Sequence, residues 1–206
     1  MNLDPVPASI SNRMARLLAE TTRQELGSQD LELILAKGGP PLAGLDGKAL
    51  AQLEGPQAAR VYAGLQQALR TYYGRGARGI LQRIGRKMWD RLVLEATFRE
   101  KAELEVTRRL PIPARRLRAL AFLANRLQDG GGSASVHTLD LDLLLADRAS
   151  AATLDQHAAV GLCYVTLGLV QGALFWATGQ EADVEETACK AAGAPACEFR
   201  VTFGGG

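Results

Sequence analysis

The sequence predicts an α+β fold in which N-terminal helices pack on a small antiparallel sheet. Three observations carry that expectation. Apolar residues recur at helical spacing as far as Gln128. The run Gly130-Gly131-Gly132 then breaks the pattern, and beyond it apolar and polar residues alternate as in a half-buried strand. A single domain is expected over residues 1–206, mainly helical through residue 130, with a strand-helix-hairpin core over residues 131–206.

The elements follow in order. Ser9 or Ser11 can cap a first helix carrying Ile10, Met14, Leu17, Leu18 and Leu26, and Gly27 ends it. A short helix over Leu31 to Lys37 stops at Gly38-Gly39-Pro40-Pro41. The segment from Pro40 to Gly55 reads as loop, with at most one helical turn near Lys48 to Leu53. Two longer helices, Pro56 to Tyr73 and Ala77 to Phe98, flank Gly74-Arg75-Gly76. Another spans Pro113 to Gln128, with Leu117, Leu120, Phe122, Leu123 and Leu127 on its apolar side.

Past the glycine run, Val136 to Asp147 reads as one strand, with Leu139, Leu141, Leu143 and Leu145 on one face and Asp140 and Asp142 on the other. A buried helix from about Leu154 to Thr178 follows. Strands near Ala182 to Thr187 and Ala196 to Phe203 are joined by a turn at Ala192-Gly193-Ala194-Pro195.

Composition narrows the function classes. The chain is 47% hydrophobic and 22% charged, as an ordinary globular protein is, and its net charge of +2 singles out no partner. Ala158 to Thr178 is the longest weakly polar stretch, and Thr166, Gln171 and three glycines interrupt it, so no membrane span is expected. Met1-Asn2-Leu3-Asp4-Pro5 lacks the features of a signal peptide, and the odd cysteine count argues against a disulfide framework; both point to a cytoplasmic location.

All three cysteines lie at or beyond position 163: Cys163, Cys189 and Cys197. Glu186 precedes Cys189 by three residues. Three thiolates and one carboxylate supply the four donors of a closed tetrahedral Zn²⁺ site. In the last strand Cys197 shares a face with Phe199, Val201 and Phe203 and so points toward the core. Glu186 and Cys189 would fall on opposite faces of a regular strand. A bulge or strand end near Thr187-Ala188 is therefore expected if both are to reach one ion.

The run from Val184 through Glu186, Cys189 and Gly193-Ala194-Pro195 to Cys197 and Phe199, with Cys163 upstream, resembles the 4-vinyl reductase domain family. It is also similar to the zinc-containing sensor domains of aromatic-hydrocarbon regulators. The likeness is specific over Cys163 to Val201 and weaker from Val136 to Thr178. It implies a fold like that of vesicle-tethering subunits, a homodimer, a structural zinc ion, and a pocket for a small hydrophobic or tetrapyrrole-like ligand. Trp89, Phe122 and Trp176 are the residues assigned to that pocket. Glu185, or a water, is an alternative to Glu186 as the fourth ligand.

The tryptophan and histidine positions of phenol sensors fall at Asp142 and Ala114, so phenol recognition does not carry over. A sensor or carrier domain is the first reading. An enzyme or accessory factor in (bacterio)chlorophyll vinyl-group reduction is the second, though no nicotinamide or flavin fingerprint accompanies it. A tethering subunit is the third. Gly74-Arg75-Gly76-Ala77-Arg78-Gly79 follows a helix, unlike a phosphate-binding loop. The basic runs Arg75 to Arg91 and Arg108 to Arg118 lack interleaved aromatics and are expected to be a solvated face or to pair across a dimer, not to bind nucleic acid. His137 and His157 are expected to be solvated or hydrogen-bonded.

Overall fold

A computed structural model describes residues 6–37, 39, 47–128, 132–140 and 142–203. Among the described residues eight α-helices and four strands follow one another as α1 Asn12–Leu26, α2 Ser28–Ala36, α3 Gly47–Ala51, α4 Gly55–Tyr73, α5 Ala77–Leu94, α6 Phe98–Arg108, α7 Ile112–Leu127, β1 Ala134–Leu139, β2 Asp142–Asp147, α8 Tyr164–Thr178, β3 Asp183–Ala188 and β4 Cys197–Thr202. The architecture is α+β, with the helices α1 to α7 preceding the sheet.

Ser11 is the cap of α1. Its Oγ accepts from the Met14 N–H at 3.3 Å and donates to the Arg126 carbonyl at 2.8 Å, so one hydroxyl starts α1 and ties it to α7. Ser9 instead donates its N–H to the Ala149 carbonyl at 2.8 Å. Gly27 ends α1 at φ 81°, a conformation that favours glycine. Met14, Leu17 and Leu18 on the inner face of α1 are wholly buried.

Apolar spacing alone extends α5 through Phe98. The chain in fact turns after Leu94 and starts α6 at Phe98. A capping box forces the restart: Thr97 Oγ1 accepts from the Glu100 N–H, and the Glu100 carboxylate accepts from the Thr97 N–H at 2.7 Å. The second helix begins three residues earlier than expected, at Ser28, and the first part of the expected loop, residues 40–46, lies outside the described residues.

The expected single strand over Val136 to Asp147 is a hairpin of β1 and β2. Leu139 pairs with Asp142, and Asp140 turns the chain at φ 51°. Aspartate is among the few residues with a side chain that tolerate this region, and that allows the reversal. Leu141, at the tip, lies outside the described residues. The expected helix from Leu154 begins only at Tyr164, because Gly161 and the residues around it form loop.

The sheet order is β1-β2-β4-β3, antiparallel throughout. Leu143 and Leu145 of β2, Phe199 and Val201 of β4, and Val184 of β3 form its buried face, over which α7 and α8 pack. Burying each such side chain contributes about 1.5–3 kcal/mol. Against its other neighbour, α8 crosses α5 at backbone distance. A Cβ on Gly85 would lie 2.2 Å from the Val165 carbonyl oxygen, and one on Gly168 would lie 2.1 Å from that of Gln82. The two helices touch so closely only because both positions lack a side chain.

Four of the five basic residues of α5 pair with carboxylates of the same chain. Arg83 and Lys87 reach Glu25, Arg86 reaches Glu181 at 2.8 Å, and Arg91 reaches Glu20 at 2.6 Å and Glu95 at 3.1 Å. These charges therefore fasten α5 to α1 and to the segment after α8. No described helix is long and apolar enough to cross a membrane.

Candidate metal centre

Four donors converge where the start of α8 meets the β3-β4 hairpin. One ligand atom from each of Cys163, Glu186, Cys189 and Cys197 lies within 4.8 Å of the others. Cys163 Sγ is 3.4 Å from Cys197 Sγ, which is 4.0 Å from Cys189 Sγ. All three cysteines are free and buried.

Each donor is placed by a local feature of the chain. Cys163 occupies the cap position of α8. Cys197 opens β4, inward-facing with Phe199 and Val201. Glu186 and Cys189 reach the same point because the β3-β4 register shifts between Glu186 and Ala188, the irregularity that their three-residue spacing predicts. Beyond it the chain makes a helical turn over Lys190–Ala192, and Gly193 closes the turn at φ 91°. Glu185, the alternative ligand, is exposed opposite Arg200, whereas Glu186 turns inward.

The dimensions suit a tetrahedral ion. A Zn–S bond of about 2.3 Å implies sulfur–sulfur separations of about 3.8 Å in a tetrahedron. The observed 3.4 and 4.0 Å bracket that value. Glu186 Oε2 accepts from the Cys163 N–H at 2.9 Å, and its buried Oε1 has no hydrogen-bond partner among the described residues. A buried carboxylate oxygen without a partner is costly, and a cation removes the cost.

The protonation states point the same way. Burial pushes the Glu186 carboxyl up to about 7. Hydrogen bonds with Cys189 and Cys197, and burial, hold the Cys163 thiol well above its ordinary value. Cys189 moves down because Cys163 and Cys197 donate to it. Cys163 pulls Cys197 down, but Cys189 and burial together outweigh it and push that thiol up to about 12. Four acidic groups in one buried place cannot all ionise without a neutralising cation, so protons are shared among them. A divalent ion would replace those protons.

Several supporting residues carry no sequence motif. A Cβ on Gly161 would lie 2.5 Å from Glu186 Oε2, so only glycine leaves room for that carboxylate. The Lys190 N–H donates to Cys197 Sγ at 3.4 Å, and Ser150 Oγ lies 3.7 Å from Cys163 Sγ. Lys190 Nζ donates to the carbonyls of Val6 (3.0 Å) and Arg148, tying the hairpin to the N-terminal segment. Burial lowers the Arg70 guanidinium, while Cys163, Tyr164 and Cys189 oppose that shift. The spacing of the donors signals none of these contacts.

The three aromatic residues assigned to a pocket do meet. Trp89 packs edge-on against Phe122 and Trp176, with ring centroids 5.9 and 5.8 Å apart. Trp89 and Phe122 are buried, whereas half-buried Trp176 reaches an open groove. His137 and His157 are exposed; the Ser135 hydroxyl lies 2.9 Å from His137.

No curated protein matches the sequence. Among solved structures, an H-NOX protein from S. oneidensis in the Fe(II)NO ligation state is similar, with a TM-score of 0.58 at 12% identity, covering 94% of this chain and 98% of that one. A mutant H-NOX protein from S. oneidensis in the Fe(II) ligation state matches with a TM-score of 0.58 at 12% identity, covering 93% of this chain and 95% of that one. At such identity the likeness is one of fold. The family match falls on the centre itself: residues 157–203, which hold all four donors, match the 4-vinyl reductase domain that their spacing resembles.

Proposed function

We propose that this chain is a small-molecule-binding domain, a sensor or carrier, whose C-terminal unit is fixed by a structural zinc ion on Cys163, Glu186, Cys189 and Cys197. The convergence of those four donors within 4.8 Å carries the proposal. All four positions of a tetrahedral ion would come from protein, leaving none for water or substrate, as in structural and not catalytic zinc sites. The ion would join the start of α8 to both strands of the hairpin.

The ligand half of the proposal draws support from the family match over residues 157–203 and from the fold. The similar H-NOX structures are described in Fe(II) and Fe(II)NO states, so this architecture accommodates small ligands in those proteins. Here the ligand is a small hydrophobic or tetrapyrrole-like molecule, and Trp89, Phe122 and Trp176 supply its aromatic wall. Because His137 and His157 are exposed, a tetrapyrrole would be held by apolar contact and not by a core histidine. The chain is proposed to act as a homodimer in the cytoplasm.

Metal analysis and native mass spectrometry of protein purified from its own cells test both halves. One zinc ion per chain and a co-purifying small molecule are expected. Protein with neither, and with a melting temperature indifferent to chelator, overturns the proposal.

A further inference from the structure

The C-terminal end of α8 lines a groove that the metal centre does not use. Its volume is about 320 Å³, and it lies between the end of α5, the face of α6 and Trp176. Val93, Leu94, Leu104 and Trp176 give it apolar walls, and Leu94 is left 76% exposed. Phe98, 91% exposed, stands on the same face of α6 as Lys101, Glu105 and Arg108 by helical spacing. Large apolar side chains left in water beside a concavity are a mark of binding surfaces.

The charge in this groove is unbalanced. Lys101 and Arg108 have no carboxylate partner among the described residues, while Glu105 is engaged by Arg109 at 3.4 Å. The Arg108 guanidinium sits 5.0 Å from the Trp176 ring centroid, and the buried Trp176 indole N–H has no acceptor among the described residues. The site thus offers two cations and an aromatic ring within one apolar trough. An engineered cavity of about 150 Å³ suffices for benzene. A groove twice that size takes a ring bearing a short acidic chain.

We propose that this groove binds a small aromatic carboxylate, the ring against Trp176 and Leu104 and the carboxylate between Lys101 and Arg108. The proposal rests on the ligand-binding half of the function given above, and no contact between ligand and metal enters it.

The test uses the ¹⁵N-labelled full chain and the indole N–H signals of its two tryptophans, assigned with Trp176→Phe. Titration with 3-phenylpropionate is expected to move the Trp176 signal saturably. The neutral analogue 3-phenylpropanol should bind about five- to tenfold more weakly, the scale of a solvent-exposed charged hydrogen bond. Arg108→Gln and Lys101→Gln, both at exposed positions, should each weaken the acid by a similar factor and leave the alcohol unaffected. Equal binding of acid and alcohol, or an Arg108→Gln variant with unchanged affinity for the acid, overturns the anion site while leaving a hydrophobic-ligand function standing. If neither compound binds and the native protein carries no small molecule, both proposals fall.

Discussion

Replacing Cys197 by serine is the sharpest perturbation of the proposed centre, because this sulfur touches both of the others, at 3.4 and 4.0 Å. Structural zinc sites bind with an apparent free energy of about 10–16 kcal/mol, roughly 2.5–4 kcal/mol for each of four ligands. A serine hydroxyl is shorter than a thiol and stays protonated at neutral pH, so one such share should be lost. Zinc affinity should fall about 10²- to 10³-fold, at about 1.4 kcal/mol per decade. For a chain of this size, about 3 kcal/mol corresponds to a melting-temperature drop of roughly 6–12 °C. Zinc content, competition with a chelating dye, and thermal unfolding with and without chelator measure each quantity. The gap between wild type and variant should shrink markedly once chelator strips the metal from both. A variant that keeps one tightly held zinc per chain, or a gap that persists undiminished in chelator, refutes the assignment of Cys197 as a ligand.

Three further outcomes are expected. Gly161→Ala would put a methyl group 2.5 Å from Glu186 Oε2; the carboxylate must move, and zinc affinity should fall at least tenfold with little change in the apo melting temperature. Gly85→Ala would place its Cβ 2.2 Å from the Val165 carbonyl. The helix-propensity gain of about 1 kcal/mol opposes an overpacking cost of about 1–3 kcal/mol or more, and because the obstacle is backbone, denaturant unfolding should show net destabilisation. Glu100, buried but hydrogen-bonded to the Thr97 N–H and to Arg126 and Arg13, has its carboxyl lowered to about 2 from an ordinary 4.5. A depressed folded-state value means that its stabilisation is complete above pH 4.5 and is lost as pH falls toward 2. Glu100→Gln should therefore be less stable at neutral pH and show a flatter acid limb in a series of thermal melts; parallel limbs would contradict the ion-pair role.

Much of the centre is legible in the sequence because metal ligation needs particular atoms at particular offsets. Cys163, Glu186, Cys189 and Cys197 declare themselves by type, and the strand period demands an irregularity between Glu186 and Cys189, where the register does shift. The helix boundaries at Ser11 and Gly27 are legible for a similar reason, since capping chemistry is local. What fails is periodicity where two elements share it. Leucine occupies every second position from Leu139 to Leu145, so the reversal at Asp140 leaves no mark in the pattern. Helix α6 buries only Glu100, Leu104 and Thr107, too little to give an apolar stripe. Its capping box, Thr97-Phe98-Arg99-Glu100, is nonetheless present in the sequence and is the signal that would have found it. The need for glycine at 85, 161 and 168 is invisible in one dimension, because the atoms that exclude a side chain come from distant parts of the chain.

Those glycines also bear on how one helix would serve both proposed sites. At its N-terminal end α8 presents Cys163, whose N–H holds the Glu186 carboxylate near the positive end of the helix dipole. In its middle, Gly168 fits against the backbone of α5 with no side chain between them, and a turn later a Cβ on Gly172 would lie 3.0 Å from that of Trp89. Near its C-terminal end, Trp176 lines the groove and packs against the same Trp89. From Cys163 to Trp176 the helix rises about 20 Å at 1.5 Å per residue. Contact at backbone distance leaves little freedom for sliding or rotation, since any shift brings carbonyl oxygens into collision. An ion fixing Cys163 therefore fixes the axial position of α8, and through it the place of the Trp176 ring. The proposed ion would not need to touch a ligand to matter for binding one. It would act by denying the groove's aromatic wall alternative positions, which is preorganisation achieved through a rigid strut.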